Sequence, residues 1–274
     1  MRTVGWTRVF LAPALTVFAA FFLVPLARLF AVGAAGPSGW AAYVEVLHNT
    51  RYLQSFLSTL ALAGSVTICT LCLCAVCGVY LSRASFAFKP LLTAVLTLPL
   101  AFPGVVVGFL VIMLGGRQGV VAQAGQALGG DPGSAVVFAY SMTGLFVGYL
   151  YFSIPRSMLT VMATADKLDR DLEEAARTLG ASAFAVARDV ILPGIRPALV
   201  ASGAICFATA MGAFGTAFTL ATKINVLPMV IYSEFTLQAN LAIAAVLSLW
   251  LGLLTWLVLI LARSATGSAV AAAA

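Results

Sequence analysis

Six stretches of this chain are apolar for long enough to cross a lipid bilayer, at about residues 9–32, 56–81, 91–114, 135–152, 198–221 and 241–261. A bilayer's hydrocarbon core takes roughly 20 helical residues per crossing. Six such helices and their connections account for all 274 residues. Only 9% of the residues are charged, against 62% hydrophobic; soluble domains carry about 25% charged residues. A chain so poor in charge could not cover a water-facing surface. The expected fold class is therefore an all-α membrane protein of six transmembrane helices, forming a single domain over residues 1–274. The first run follows Arg2 and Arg8 as a signal peptide would. It exceeds the 7–15 residues of a signal's apolar core and leads into a further span, so it reads as an uncleaved first helix.

The basic residues set the orientation. An even number of spans puts both termini on one side. With the N-terminus inside, Arg2, Arg8, Arg83, Lys89, Arg156, Lys167, Arg170, Arg177, Arg188, Arg196 and Arg263 are internal, and Arg28, Arg51, Arg117 and Lys223 are external. Lysine and arginine concentrate on the cytoplasmic side of membrane proteins, so both termini are expected in the cytoplasm. This distribution between apolar runs also explains the net charge of +6 as topology rather than as a nucleic-acid surface. One sizeable cytoplasmic loop results, residues 153–197, holding Asp166, Asp169, Asp171, Glu173, Glu174 and Asp189. The alanine-rich tail, residues 264–274, is expected to be disordered.

Within that loop, residues 165–197 read as two short helices divided by a glycine. Leu168, Leu172, Ala175, Ala176 and Leu179 recur at helical spacing. Asp169, Asp171, Glu173 and Glu174 cluster early, where the helix dipole favours negative charge. Gly180 suits a left-handed C-terminal turn, and Ser182 is placed to cap a second helix. Phe184, Val186, Ala187, Val190 and Ile191 continue that helix, which Pro193 is expected to limit. The small side chains would let another protein approach closely; a plain connecting loop is the alternative.

The spacing separates the two. Glu174-Ala175-Ala176, three residues, Gly180, nine residues, then Val190-Ile191-Leu192-Pro193 resembles the EAA motif of inner-membrane permeases of binding-protein-dependent ABC importers. Val190 stands where that family usually has isoleucine. The resemblance is to type I importers of the spermidine/putrescine, sulfate and molybdate group and spans roughly residues 55–263. It implies the type I permease fold in a bacterial inner membrane. It further implies that Glu174, Ala175, Ala176, Leu179, Gly180, Val190, Leu192 and Pro193 belong to a coupling segment that docks into a separate ATPase. ATP and Mg would then be bound by that partner, and no cofactor by this chain. The implied assembly has two ATPases, a second permease (the same or a similar chain) and a periplasmic substrate-binding protein, which would meet the segment at about residues 222–240.

The missing motifs agree. No G-x-x-x-x-G-K-[ST] sequence cradles a nucleotide phosphate. His48 is the lone histidine and has no catalytic companions, so the chain is not expected to be an enzyme. Cys69, Cys72, Cys74 and Cys77 scatter around a helix axis at 100° per residue, as packing residues rather than metal ligands. The spans are almost free of ionisable residues, which disfavours the other class considered, a secondary transporter or channel.

Two spans carry features of a translocation path. Pro99 and Pro103 should kink the third; a proline-containing third span is common in the resembled family. Thr209, Gly212, Gly215, Thr216 and Thr219 give the fifth a small, mildly polar surface. Gly104–Gly108 and Gly144–Gly148 have the spacing of close helix contacts. The cargo is expected to be polyamine-type, with 2-aminoethylphosphonate or an inorganic oxyanion as alternatives.

Overall fold

The structure is a computed structural model and describes residues 3–128, 137–220 and 224–266. Six segments among them are long and apolar enough to cross a membrane: Leu11–Ala34, Thr50–Arg83, Gly104–Ala127, Met142–Ala165, Ala183–Gly212 and Leu241–Ser264. Helix α1 (Thr3–Phe18) continues through a π-helical turn, Ala19–Leu23, into α2 (Val24–Ala34). This first span is exposed around nearly its whole girth, Phe21 being 80% exposed. Its end is anchored where the Tyr43 hydroxyl donates to the Phe30 carbonyl at 2.8 Å and Gly33 lets Tyr43 and Val246 approach.

The remaining spans form the body. After α3 (Ala42–His48), Asn49 caps α4 (Thr50–Arg83) by accepting from the Arg51 amide. At 34 residues and 1.5 Å per residue, α4 is about 50 Å long, so both ends clear the ~30 Å hydrocarbon core. It packs lengthwise on α8 (Met142–Ala165) and α11 (Leu192–Gly212). Three apolar clusters stack along this axis. One lies near the α3 end, with Val46, Leu227 and Leu247. A middle one holds Leu62, Val66, Leu145, Tyr149 and Met211. The third, around Leu81, Met158 and Ile195, lies toward residues 165–197. Helix α14 (Leu241–Thr266) closes the body against α2, α11 and α13 (Leu227–Thr236).

Four expectations need correction. The third span is not one kinked helix. Helix α5 (Lys89–Thr97) and a 3₁₀ turn, Leu98–Ala101, end at an extended Phe102–Pro103, and α6 (Gly104–Gly115) starts afresh. Two prolines four residues apart remove two donors, and Pro103 disfavours the helical conformation for Phe102, which is extended at φ −91° and ψ 128°. A short helix α7 (Val120–Ala127) follows. The fourth span is α8, not residues 135–152; residues 135–136 lie outside the described residues. Ser141 starts the helix by accepting from the Gly144 amide, and it runs through Pro155 and Arg156 to Ala165. Those two residues look like a loop by composition. Pro155 is buried within the helix, while Arg156 is exposed beside it. Pro193 does not stop its helix either. A π-helical turn, Ala187–Ile191, widens the chain where the proline ring would strike the preceding turn, and α11 continues to Gly212. Finally, α14 extends to Thr266, beyond the start expected for the tail; residues 267–274 lie outside the described residues.

Candidate functional site

The segment between α8 and α11, residues 166–191, projects from the end of the bundle formed by the C-terminal ends of α4 and α8 and the start of α11. Asp169 caps α9 (Arg170–Thr178) by accepting from the Asp171 amide at 3.0 Å. Gly180 closes it with φ +86°, and the Ala181 amide reaches back to the Ala176 carbonyl at 3.0 Å. This six-residue return is the glycine-terminated helix end that the sequence suggests. Ser182 accepts from the Ala185 amide and opens α10 (Ala183–Val186).

The apolar stripe of α9 does not point into the protein. Leu172 is 60% exposed, Leu179 89% and Phe184 74%. Glu174 and Ala175 are exposed and Ala176 is half-buried. The side chain turned inward is an acid, Glu173, whose Oε1 accepts from Arg83 Nη2 at the last residue of α4. Leu168, just before the helix, packs into the apolar cluster around Leu81, Met158 and Ile195 and against Gly194. An ion pair and a leucine thus hold α9 to the body and present large apolar groups to the surroundings. Between this segment and α4 lies an apolar cleft of about 460 Å³ lined by Val76, Tyr80, Phe184 and Ile191. Val190 is half-buried, and Leu192 and Pro193 are exposed at the start of α11.

The residues expected along the path fall on two broken helices that meet. Helix α11 ends at Gly212, Ala213 is extended, and α12 (Phe214–Leu220) resumes. A break inside a membrane is tolerated only where the freed backbone groups find partners. The buried Tyr149 hydroxyl donates to the Ala213 carbonyl at 2.6 Å. Thr216 Oγ1 donates to the Gly104 carbonyl at 2.9 Å, and Thr219 Oγ1 lies 3.3 Å from the Val105 carbonyl. The approach is close: a methyl group added to Gly108 would meet Thr219 at 2.5 Å, and one added to Gly148 would meet Thr216 at 2.8 Å.

Thr216 is therefore a buried seam residue, 1% exposed, and Gly215 and Thr219 belong to the same seam. Pro103 and Gly212 are exposed at the two breaks, and Pro99 is half-buried in the 3₁₀ turn. Thr209 bonds to carbonyls of its own helix, Ile205 and Cys206. Of the cysteines, Cys74 and Cys206 are buried and Cys72 and Cys77 exposed. Sequence reasoning missed Arg83, Tyr149 and the role of Glu173. A lone arginine ending an apolar run was the available signal for Arg83; the tyrosine had none.

Six apolar spans, the third and fifth of them broken, with a projecting helix–turn–helix segment, define a multi-pass membrane protein. The chain belongs to the binding-protein-dependent transport system inner membrane component family, whose model matches residues 74–266. It is 32% identical over 232 residues to the sulfate transport system permease protein CysT of Escherichia coli K12, covering 82% of this chain and 81% of that one. A chain named for 2-aminoethylphosphonate transport, PhnU of Salmonella typhi, is 29% identical over 218 residues, 79% of this chain and 75% of its own. The molybdenum transport system permease protein ModB of Escherichia coli K12 is 33% identical over 144 residues, 53% of this chain and 61% of its own. A chain of a bacterial alginate ABC transporter, crystallised with an alginate pentasaccharide-bound periplasmic protein, shares the fold with a TM-score of 0.82 at 17% identity over 95% of both chains. The family is the membrane component of importers in the inner membrane, and it works with an ATPase subunit and a substrate-binding protein.

Proposed function

We propose that α9 and the turn at Gly180 form the surface on which the ATPase docks, with Glu174, Ala175, Ala176 and Leu179 in the contact. The exposure of Leu172, Leu179 and Phe184 beside a rigid glycine turn carries this reading. Apolar groups this large, clustered on an otherwise charged segment, mark an interaction site. ATP and Mg are held by that partner, and closure of two ATPases moves the segment as a rigid body. Val190, Leu192 and Pro193 carry the motion into α11. Both termini lie on the ATPase side, as the arginine distribution supports.

This chain supplies half of the path, and a second permease, the same or similar, supplies the other half. The path runs along the exposed side of the two breaks, at Pro103 and Gly212. The exposed first span meets lipid and the second permease. The names of the relatives turn the cargo from a polyamine toward a small oxyacid, 2-aminoethylphosphonate first. Neither break carries a charged residue in its own stretch, residues 97–105 and 209–216, so selection falls to the binding protein.

Uptake of labelled 2-aminoethylphosphonate, sulfate and putrescine by cells carrying the whole importer tests the cargo: accumulation of the phosphonate supports it, and accumulation of putrescine alone refutes it. Gly180→Asp tests the docking. At φ +86° a side chain is strained whatever the space, so the turn should deform and the ATPase should be lost on purification. Its full retention, with normal transport, would refute the docking surface.

A further inference from the structure

Helix α4 carries an arginine near each end, and each is ion-paired to a glutamate on an element outside the helix core. At the inner end Arg83 pairs with Glu173 of α9, with only 19% and 11% of the side chains exposed. At the outer end Arg51 Nη1 lies 3.3 Å from Glu234 Oε1 of α13, and the Tyr52 hydroxyl donates to the same oxygen at 3.0 Å. Glu234 is completely buried. Helix α13 is pinned to α4 again at its start, where the Leu227 amide donates to Thr59 Oγ1 at 2.7 Å. Between the two pairs α4 has no proline and no break over its 34 residues, unlike the third and fifth spans. A helix of that kind transmits displacement; a broken one absorbs it.

We propose that α4 is a strut that conveys the position of the coupling segment to the outer face, with Arg83–Glu173 and Arg51–Glu234 as positioning pairs. Resting on the docking reading above, it adds the route by which nucleotide state reaches α13. Buried charges left without a partner are strongly disfavoured, so α9 and α13 must each follow the α4 end to which they are paired. Each pair also leaves one buried polar atom without a hydrogen bond, Arg83 Nε and Glu234 Oε2. Such atoms are unusual and are available to a second arrangement of the same groups.

The test uses the whole importer in lipid nanodiscs. Gln238→Cys places a thiol on the exposed residue beyond α13. Its labelling by a membrane-impermeant maleimide is quantified at that position by mass spectrometry, with and without ATP plus vanadate. With the native pairs, nucleotide should change the labelling rate by about fivefold or more, the lower range of coupling between distant sites. E173Q should keep the ATPase bound, because the exposed stripe is intact, yet lose the nucleotide response at position 238. R83M should do the same, and R83M/E173Q should be no worse than either alone, because one interaction is lost in all three. E234Q should lose the response from the other end. A full response in E173Q, additive losses in the double variant, or loss of the ATPase from E173Q would overturn the strut. Absence of an ATPase from the unaltered importer would instead refute the docking reading itself.

Discussion

Helix α4 runs from Thr50 to Arg83 without interruption, whereas α11 stops at Gly212 and resumes as α12 at Phe214 against the equally broken α5–α6. The two regions are similarly apolar and differ in how their backbone is satisfied. In α4 the interior amides are paired within the helix. At the breaks, side chains tie the backbone to neighbouring segments: Tyr149 donates to the Ala213 carbonyl and Thr216 to that of Gly104. An unbroken helix is stiff, and a break held by side chains is a place where the chain can be rearranged. A transporter needs both.

The largest effect that would break this contrast is a proline in the strut. Ile68 is mid-helix and 66% exposed, so Ile68→Pro loses little packing but removes one bond and drives its ring into the Gly64 carbonyl. The cost should be about 3 kcal/mol or more, seen as a large drop in thermal midpoint of the detergent-purified chain. Next comes the seam: Gly108→Val forces Thr219 away and should destabilise by about 1–3 kcal/mol in the same measurement. Tyr149→Phe removes the donor from the Ala213 carbonyl and should cost about 1 kcal/mol, while leaving the ATPase bound. Pro103→Ala should have the smallest effect. The φ at Pro103 is −60°, so the proline fits without strain and its loss costs only about 0.4–1 kcal/mol of chain entropy. If Pro103→Ala exceeded Gly108→Val, the break would be held by the proline rather than by the seam.

The same contrast marks what the sequence could reveal. The unbroken spans are visible as apolar runs because nothing but hydrocarbon and helix geometry specifies them. The C-terminal end of α9 and the start of α10 are equally visible, because Gly180 and Ser182 act on backbone groups a few residues away. The fourth span was displaced because Pro155 and Arg156 resemble a loop until Pro155 is seen buried in a helix and Arg156 exposed beside it. The break at Ala213 has no proline to announce it; its partner, Tyr149, is 64 residues away. Glu173 and Arg83 are 90 residues apart. An amphipathic stripe says which residues share a face, and only the fold shows that Leu172 and Leu179 point outward while the acid between them is buried.

That outward stripe is the claim to test first. A photo-crosslinking amino acid at position 179, and another at position 21 as a membrane-facing control, would be activated in cells expressing the whole importer. The expected product at 179 is a covalent adduct with an ATPase subunit, absent at 21. Capture of lipid alone at 179, or equal capture of the ATPase from both positions, would contradict docking through α9.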